Sequence, residues 1–565
     1  MTSVKRVAPG FGTMARMQTD DDAMASARER VNALRSLLEA RDGRSVRLIE
    51  THISWVLLTA SLTGSFAYKL KKPLRLPFLD FTTLAARRHF CNEELRLNRR
   101  LAASLYLDVV DVCDGPQGLR FGGAGPVLDV AVRMRRFPDG ALWSEMLSEG
   151  RLAANHVDAM AQRLADFHRD AAVAAPDSGF GSAPVHECVT QGLIAAIDSI
   201  QAKQREPTSH GPHIDWPALR AWLGRQQQAL APWWATRLRA GRVRECHGDL
   251  HLSNVLQLDG VASAFDGIEF DAGLRWIDVL DDIAFLAMDL LAQGQQGLAA
   301  RFTNAYLDAS GDHDGLPALR FFMVCRALVR AQVMALREQQ GMQPGTPAAG
   351  GCGTAGYLLT ASALAANADA RLAVMHGLPG SGKSFVSQRL IETVGAIRVR
   401  SDVERKRLFG LGALQSSQGR MPGGIYTDDA TVRTVARLHA VARVALGAGW
   451  PVLVDAAFLR RAERRQFAAL AAALGLPFSI IDCQAAMPLL RQRIEQRARQ
   501  QAVGVGDASE ADLAVLERLA DADEPLDETE RAVAIVVDAA QPVPPATLAT
   551  RWLAAVPTDV APMAG

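Results

Sequence analysis

The segment Gly377-Leu378-Pro379-Gly380-Ser381-Gly382-Lys383-Ser384 constrains the fold of this chain more than any other stretch. It reads G-x-x-x-x-G-K-S. The apolar run Leu372–Met375 precedes it, and Val386, Leu390, Ile391 and Val394 follow on one helical face. A strand that turns through such a loop into a helix opens a parallel α/β sheet. The glycines let backbone N–H groups converge on phosphate oxygens at the positive end of the helix. All eight residues are therefore candidate ATP contacts, with Lys383 at the β- and γ-phosphates and Ser384 at Mg²⁺.

The chain after this loop alternates strand and helix. Ala396–Val399 reads as a strand ending near Asp402, and Asp429–Leu446 as a helix. Val452–Val454 reads as a strand ending in Asp455, a Walker-B-like position for the magnesium shell. Phe478–Ile481 and Ala534–Val537 are further strands. The pattern predicts a parallel sheet with helices on both faces and ligands at the carboxyl ends of the strands. Asp402 sits at such an end, and Arg405 is one turn on. Similarity to small P-loop kinases makes Asp402 the residue that holds an acceptor hydroxyl; as a plain helix start it would be an N-cap. Arg491, Arg493, Arg497 and Arg499 precede a Gly/Ala/Asp stretch at 502–512. Two of the four are expected over the triphosphate, with Arg493 and Arg497 the candidates; otherwise they form a solvated basic face. The domain has no room for the added helical part of a ring-forming ATPase.

A second chemical centre lies upstream in Cys246–Asp271, CHGDLHLSNVLQLDGVASAFDGIEFD. Asp249 and Asn254 are five apart. Val255–Leu258 and Val261–Phe265 flank Asp259-Gly260, a strong hairpin signal because both turn positions need positive φ. Such a hairpin folds Asp266 back beside Asp249 and Asn254. Three convergent oxygen side chains suit a hard cation with phosphates attached. In the catalytic-loop logic of kinases, one Asp orients the acceptor hydroxyl while Asn and a second Asp hold metal. Loop residues of these types also cap turns, and a lone His-Gly-Asp would carry little weight.

The chain leading to this loop supplies partners. Asp20–Arg41 has helical spacing through Val31, Leu34, Leu37 and Leu38. Ser54–Thr59 and Phe66–Leu70 read as strands. Lys69 and Lys71 share one face of the second, so either could reach nucleotide phosphates. In the helix that follows, Glu94 is the candidate partner over Glu93, on its spacing to Leu97 and Leu101. Tyr106–Val112 and Val127–Met134 read as strands, and helices dominate to Ala240. Trp276–Ala292 and Pro317–Gln339 read as helices. Asp278, Asp281 and Asp282 read as helix-start acids with structural roles.

The stretches Ser54–Leu62, Phe66–Pro73, Phe78–Leu84, Arg87–Leu101, Met134–Pro138, the HGDLHLSNVL loop and FDGIEF together resemble the aminoglycoside phosphotransferase-like family. More narrowly, the chain resembles bacterial fusions of such a domain with an AAA-type, zeta-toxin-like P-loop kinase domain. The resemblance spans roughly Leu48 to Arg337. It implies a two-lobed protein-kinase-like fold using ATP and Mg²⁺, with Asp249 catalytic and Asn254 and Asp266 as metal ligands. The loop Leu58–Phe66 departs from a tight glycine-rich turn, having only Gly64. Family membership does not fix the acceptor.

At 565 residues more than one core is required. The expected layout is a variable segment 1–45, partly disordered over 1–20, a kinase-like α+β domain 46–340, a Gly/Pro-rich linker with a short helix 341–368, and an α/β P-loop domain 369–565. Composition is that of an ordinary globular chain, with 49% hydrophobic residues, 22% charged residues and net charge +1. That balance offers neither nucleic acid nor an anionic membrane an electrostatic attraction. Seven scattered cysteines without a Cys-x-x-Cys pair point to free thiols in a reducing, cytoplasmic setting. Met1–Met17 is basic without an apolar core, unlike a secretory leader. The leading expectation is a two-site ATP-dependent phosphotransferase acting on hydroxyl groups of small molecules. A nucleotide-sensing regulator and a polynucleotide-end kinase are the alternatives.

Overall fold

Alternating apolar residues build the first sheet, and two amphipathic helices cover its faces. The computed structural model describes residues 21–60, 64–76, 79–116, 118–203, 214–339, 352–367, 369–415, 417, 425, 427–502, 511–541 and 543–556. Its described residues fall into two units. One takes the residues up to His156, then Phe167–Gln293 and Phe321–Ala365. The other takes Val157–Asp166, Gly294–Arg320 and the residues from Ala366 onward.

In the first unit, β1 (Arg47–Glu50), β2 (Ser54–Leu58) and β3 (Phe66–Lys71) form an antiparallel run. A small ribbon follows, β4 (Arg75–Leu76) with β5 (Leu79–Asp80). β6 (Tyr106–Gly115), β7 (Gly118–Phe121) and β8 (Val127–Arg135) complete the main sheet, in the order β1-β2-β3-β8-β6-β7. The helix Asp21–Asp42 buries Ala27, Val31, Leu34 and Leu38, one stripe at helical spacing, against Trp55, Leu57, Tyr68 and Leu70. Residues 21–42 are thus part of the sheet's core, which corrects the separate segment 1–45; residues 1–20 lie outside the described residues. The helix Leu84–Ala102, capped by the Thr83 hydroxyl accepting from Ala86 N at 3.1 Å, places Cys91 and Ala102 against Ala67, Val130 and Val132.

The helical part of this unit includes Ala183–Lys203, Trp216–Arg239, Val279–Ala292 and most of Leu316–Gln339. β9 (Val243–Glu245) leads into the Asp249 loop, and β10 (Val255–Leu258) and β11 (Val261–Ala264) form the hairpin after it. β12 (Trp276–Asp278) pairs with β9, so the helix expected from Trp276 starts three residues later. Asp278 is the reason: its carboxylate caps Leu280 N at 2.9 Å, fixing the helix start, and also pairs with Arg237 at 2.7 Å. The helix Thr354–Ala366, expected in the linker, belongs to this unit as far as Ala365. Tyr357 and Leu358 are buried, and the Tyr357 hydroxyl donates to Asp289 at 2.7 Å. The linker stretch 340–351 lies outside the described residues.

The second unit is built on β13 (Arg371–His376), β14 (Ile397–Arg400), β15 (Pro451–Asp455), β16 (Phe478–Gln484) and β17 (Ala534–Asp538). All pairs are parallel, in the order β14-β15-β13-β16-β17. Every residue of β13 is buried, as expected of a central strand covered on both faces. The unit also takes a helix from before the linker, Gln296–Ser310, which crosses the division expected at 340. Asn304 donates to Ala396 O at 2.9 Å and accepts from Arg398 N at 2.6 Å, and Arg301 pairs with Glu392 at 2.8 Å. A single side chain thereby satisfies both backbone groups leading into β14. Among the described residues, no helix is long and apolar enough to cross a membrane.

Candidate active sites

The first site grows from the hairpin. Its register runs from Val255 opposite Ala264 to Leu258 opposite Val261, with Asp259 at φ 51° and Gly260 at φ 78°. Two left-handed residues in a two-residue loop are what the Asp-Gly pair predicts. At the hairpin's open end, Phe265 N donates to Asn254 O at 3.0 Å, so Asp266 returns to the level of Asn254. Asp266 has φ 61°, a left-handed conformation uncommon outside glycine, and its N–H donates to the Tyr106 hydroxyl at 3.1 Å. The Asn254 amide nitrogen donates to Asp249 O at 2.9 Å and to Asp249 Oδ2 at 3.0 Å. With its nitrogen committed there, Asn254 has only its oxygen to offer a ligand.

Lysine pairing brings both candidate lysines to Glu94. Lys69 Nζ donates to Glu94 Oε1 at 2.9 Å and to Asp266. Lys71 Nζ donates to Glu94 Oε2 at 2.7 Å and to Glu269. Both lysines therefore meet Glu94, and only Lys69 extends to Asp266. Glu93 turns outward to Arg96 at 2.8 Å. Two ammonium groups face three carboxylates in this cluster, a deficit of one positive charge. Burial disfavours ionised Glu94, yet Lys69 and Lys71 hold its pKa down at about 2. Burial pushes Glu269 up despite Lys71. The oxygen donors Asn254 and Asp266, in a cluster short of positive charge, fit a hard divalent cation.

The loop itself is pinned from beneath. Gly248 has φ 85°, and a Cβ there would stand 2.6 Å from Leu274 O, so no other residue fits. Asp282 accepts from His247 N at 3.1 Å, from Gly248 N at 2.8 Å and pairs with His168 Nε2 at 3.1 Å. Burial opposes its charge, but the His168 hydrogen bond leads in holding its pKa near about 2. His247 Nε2 meets Phe265 O at 2.9 Å, tying the loop to the strand before Asp266. Burial also opposes the charge of Asp249, while His251, Arg330 and His247 hold its carboxyl below the usual range. It is a carboxylate at neutral pH. Residues 61–63 of the loop Leu58–Phe66 lie outside the described residues.

The second site lies at the carboxyl end of β13. Gly377 has φ 131°, and a Cβ there would lie 2.4 Å from Cys483 O. Gly380 and Gly382 also have positive φ, 83° and 92°, and the helix Lys383–Val394 starts directly after them. Lys383 Nζ donates to Gly377 O at 2.8 Å and Leu378 O at 2.9 Å, folded back over its own loop, and burial lowers its pKa. Ser387 Oγ donates to Asp455 Oδ2 at 2.9 Å, which orients the carboxylate at the end of β15. A cavity of about 830 Å³ opens here, and Pro379, Gly380, Gly382, Lys383, Ser384 and Asp455 line it.

Asp402, Arg493 and Arg497 line the same cavity. The helix carrying Asp402 is Ser401–Leu408, with Arg400 at the N-cap position, so Asp402 is not the N-cap. Arg493 donates to Gly380 O at 3.1 Å and Ala539 O at 3.2 Å, and Arg497 donates to Ala511 O. Arg491 instead pairs with Glu517 at 3.2 Å and Arg499 with Glu495 at 3.9 Å. Most of the stretch 502–512, residues 503–510, lies outside the described residues. Sequence reasoning missed Glu269, whose only signal was its place in FDGIEF.

The family model for the AAA domain matches residues 372–526, the part that carries the P-loop. Two solved structures are each similar to part of the chain. An ethanolamine kinase from Plasmodium vivax is 11% identical at a TM-score of 0.34, covering 57% of this chain and 82% of its own. A sugar kinase from Janibacter sp. HTCC2649 is 21% identical at a TM-score of 0.25, covering 33% of this chain and 96% of its own. The "uncharacterized protein Rv2004c" of Mycobacterium tuberculosis is 32% identical over 461 residues, spanning 80% of this chain and 86% of the relative. An alignment that long takes in residues beyond the AAA domain, and on it the chain belongs to the family of Rv2004c.

Proposed function

We propose that the protein is an ATP-dependent phosphotransferase with two nucleotide sites, each passing the γ-phosphoryl group to a hydroxyl of a small molecule. The observation that carries the reading is that the hairpin, with Phe265 N donating to Asn254 O, returns the Lys69–Glu94–Asp266 ion cluster to the level of the hydrogen-bonded Asn254–Asp249 pair. In the first site Asp249 receives the acceptor hydroxyl. The acceptor oxygen bonds to the γ-phosphorus, the bond to the bridging oxygen breaks, its electron pair leaves with ADP, and the hydroxyl proton passes to the carboxylate of Asp249. Lys69, held by Glu94, steadies the phosphates. Asn254 and Asp266 would hold Mg²⁺, which when bound offsets the negative charge of the triphosphate. In the second site Lys383, Arg493 and Arg497 surround the triphosphate, Ser384 and Asp455 would hold Mg²⁺, and Asp402 holds the acceptor hydroxyl.

Labelled γ-phosphate transfer by the full chain to a metabolite extract tests this. Asp249→Asn is expected to remove one set of labelled products and Lys383→Ala a different set. Full product yield from both variants refutes the proposal. Nucleotide binding at both sites without any labelled acceptor favours a sensing role.

A further inference from the structure

Resting on Asp249 as the residue that receives the hydroxyl, we propose that the acceptor of the first site is an anion, a hydroxylated carboxylate or phosphate ester held by Arg330. The helix Leu316–Gln339 places Arg326, Arg330 and Arg337 four and seven residues apart, on one stripe. Arg326 Nη1 donates to Gly248 O at 3.2 Å, which sets this stripe against the residue just before Asp249. Arg326 is itself neutralised by a bidentate pair with Asp281, at 2.7 and 2.9 Å.

Arg330, one turn on, is different. Among the described residues its hydrogen-bond partner is the Tyr357 hydroxyl at 3.4 Å, and its guanidinium lies 5.5 Å from the centroid of that ring. The nearby carboxylate of Asp289 is taken up by Leu252 N at 2.9 Å and by the Tyr357 hydroxyl. Asp289 and Asp249 favour the charge of this half-buried guanidinium, but among the described residues no carboxylate is hydrogen-bonded to it, which leaves donors for an incoming anion. Its planar fork matches carboxylate and phosphate oxygens. Arg330 and Arg337 both act on Asp249 electrostatically, and His251 Nε2 lies 3.5 Å from Asp249 Oδ2. A cationic amine acceptor would have to approach Asp249 past these basic groups, whereas an anionic one is drawn to them.

Calorimetric titration of the full chain with MgADP present tests the assignment. The probes are a panel of hydroxylated carboxylates and phosphate esters, with glycerol as the neutral and ethanolamine as the cationic comparison. At least one anion is expected to bind saturably, to bind ten-fold or more weakly to Arg330→Gln, and to recover only in part in Arg330→Lys, which keeps the charge without the planar fork; Arg491→Gln is expected to leave it unchanged. Absence of saturable anion binding, equal affinity in Arg330→Gln, or tighter binding of ethanolamine overturns the proposal. Anion binding that depends on Arg330 without phosphoryl transfer would retire the catalytic reading and leave the anion site standing. Transfer to neutral or cationic acceptors alone would do the reverse.

Discussion

Glu94→Gln tests the ion cluster most directly, because this one carboxylate serves two lysines. Glu94 is fully buried and accepts from Lys69 at 2.9 Å and Lys71 at 2.7 Å. Its pKa falls from 4.5 to about 2 on folding, with the lysines outweighing burial. A shift of that size corresponds to about 3 kcal/mol of stability at neutral pH. Two charge-assisted hydrogen bonds at about 1.5–3 kcal/mol each give a similar figure once glutamine keeps one neutral acceptor. The sign follows from the lowered pKa. The contribution is complete above the unfolded value of 4.5 and is lost as the pH falls toward 2. Glu269, raised by burial, opposes folding in its charged form and returns part of that gain. The raised pKa of Lys71 leaves its contribution complete below 10.5, to be lost as the pH rises above that value. Urea unfolding of the full chain, read by hydrogen exchange on peptides of the first unit, should show wild type ahead of Glu94→Gln by about 3 kcal/mol at pH 6. The gap should narrow toward zero near pH 2. A gap below about 1 kcal/mol at pH 6, or one that does not change with pH, refutes the buried-cluster reasoning.

Leu34→Ala should cost the first unit about 2–5 kcal/mol by the same unfolding assay, because Leu34 is wholly buried against the sheet; a loss below about 0.5 kcal/mol would detach the helix Asp21–Asp42 from the core. Gly377→Ala should weaken ATP binding at the second site ten-fold or more, since its Cβ would collide with Cys483 O; unchanged ATP affinity by calorimetry would show that the loop relaxes freely. Asp402→Asn should lower product formation by the second site with ATP affinity retained; equal loss of both would make Asp402 a nucleotide contact.

What could be read from the sequence was chemistry confined to one short stretch. The Asp259-Gly260 turn dictates its own φ values, and that turn alone brings Asp266 back to Asn254. The loop Gly377–Ser384 likewise carries its strand, its glycines and its helix within twenty-odd residues. Choices between neighbours were harder, because a period of two puts Lys69 and Lys71 on one face and cannot rank them. Glu94 has two carboxylate oxygens and takes one lysine on each, so both candidates stand in the same ion cluster. What stayed hidden was pairing across long separations. The helix Thr354–Ala366 carries almost no charge and follows a Gly/Pro-rich run, which is why it reads as linker. Tyr357, reaching Asp289 sixty-eight residues back, shows that it belongs to the first unit. The helix Gln296–Ser310 precedes the linker yet closes the backbone of β14 through Asn304. A chain cut at residue 340 would therefore leave Ala396 O and Arg398 N without that partner. Two buried backbone groups left unpaired cost about 2–6 kcal/mol, so residues 369–565 alone should unfold at lower urea than the same unit in the full chain.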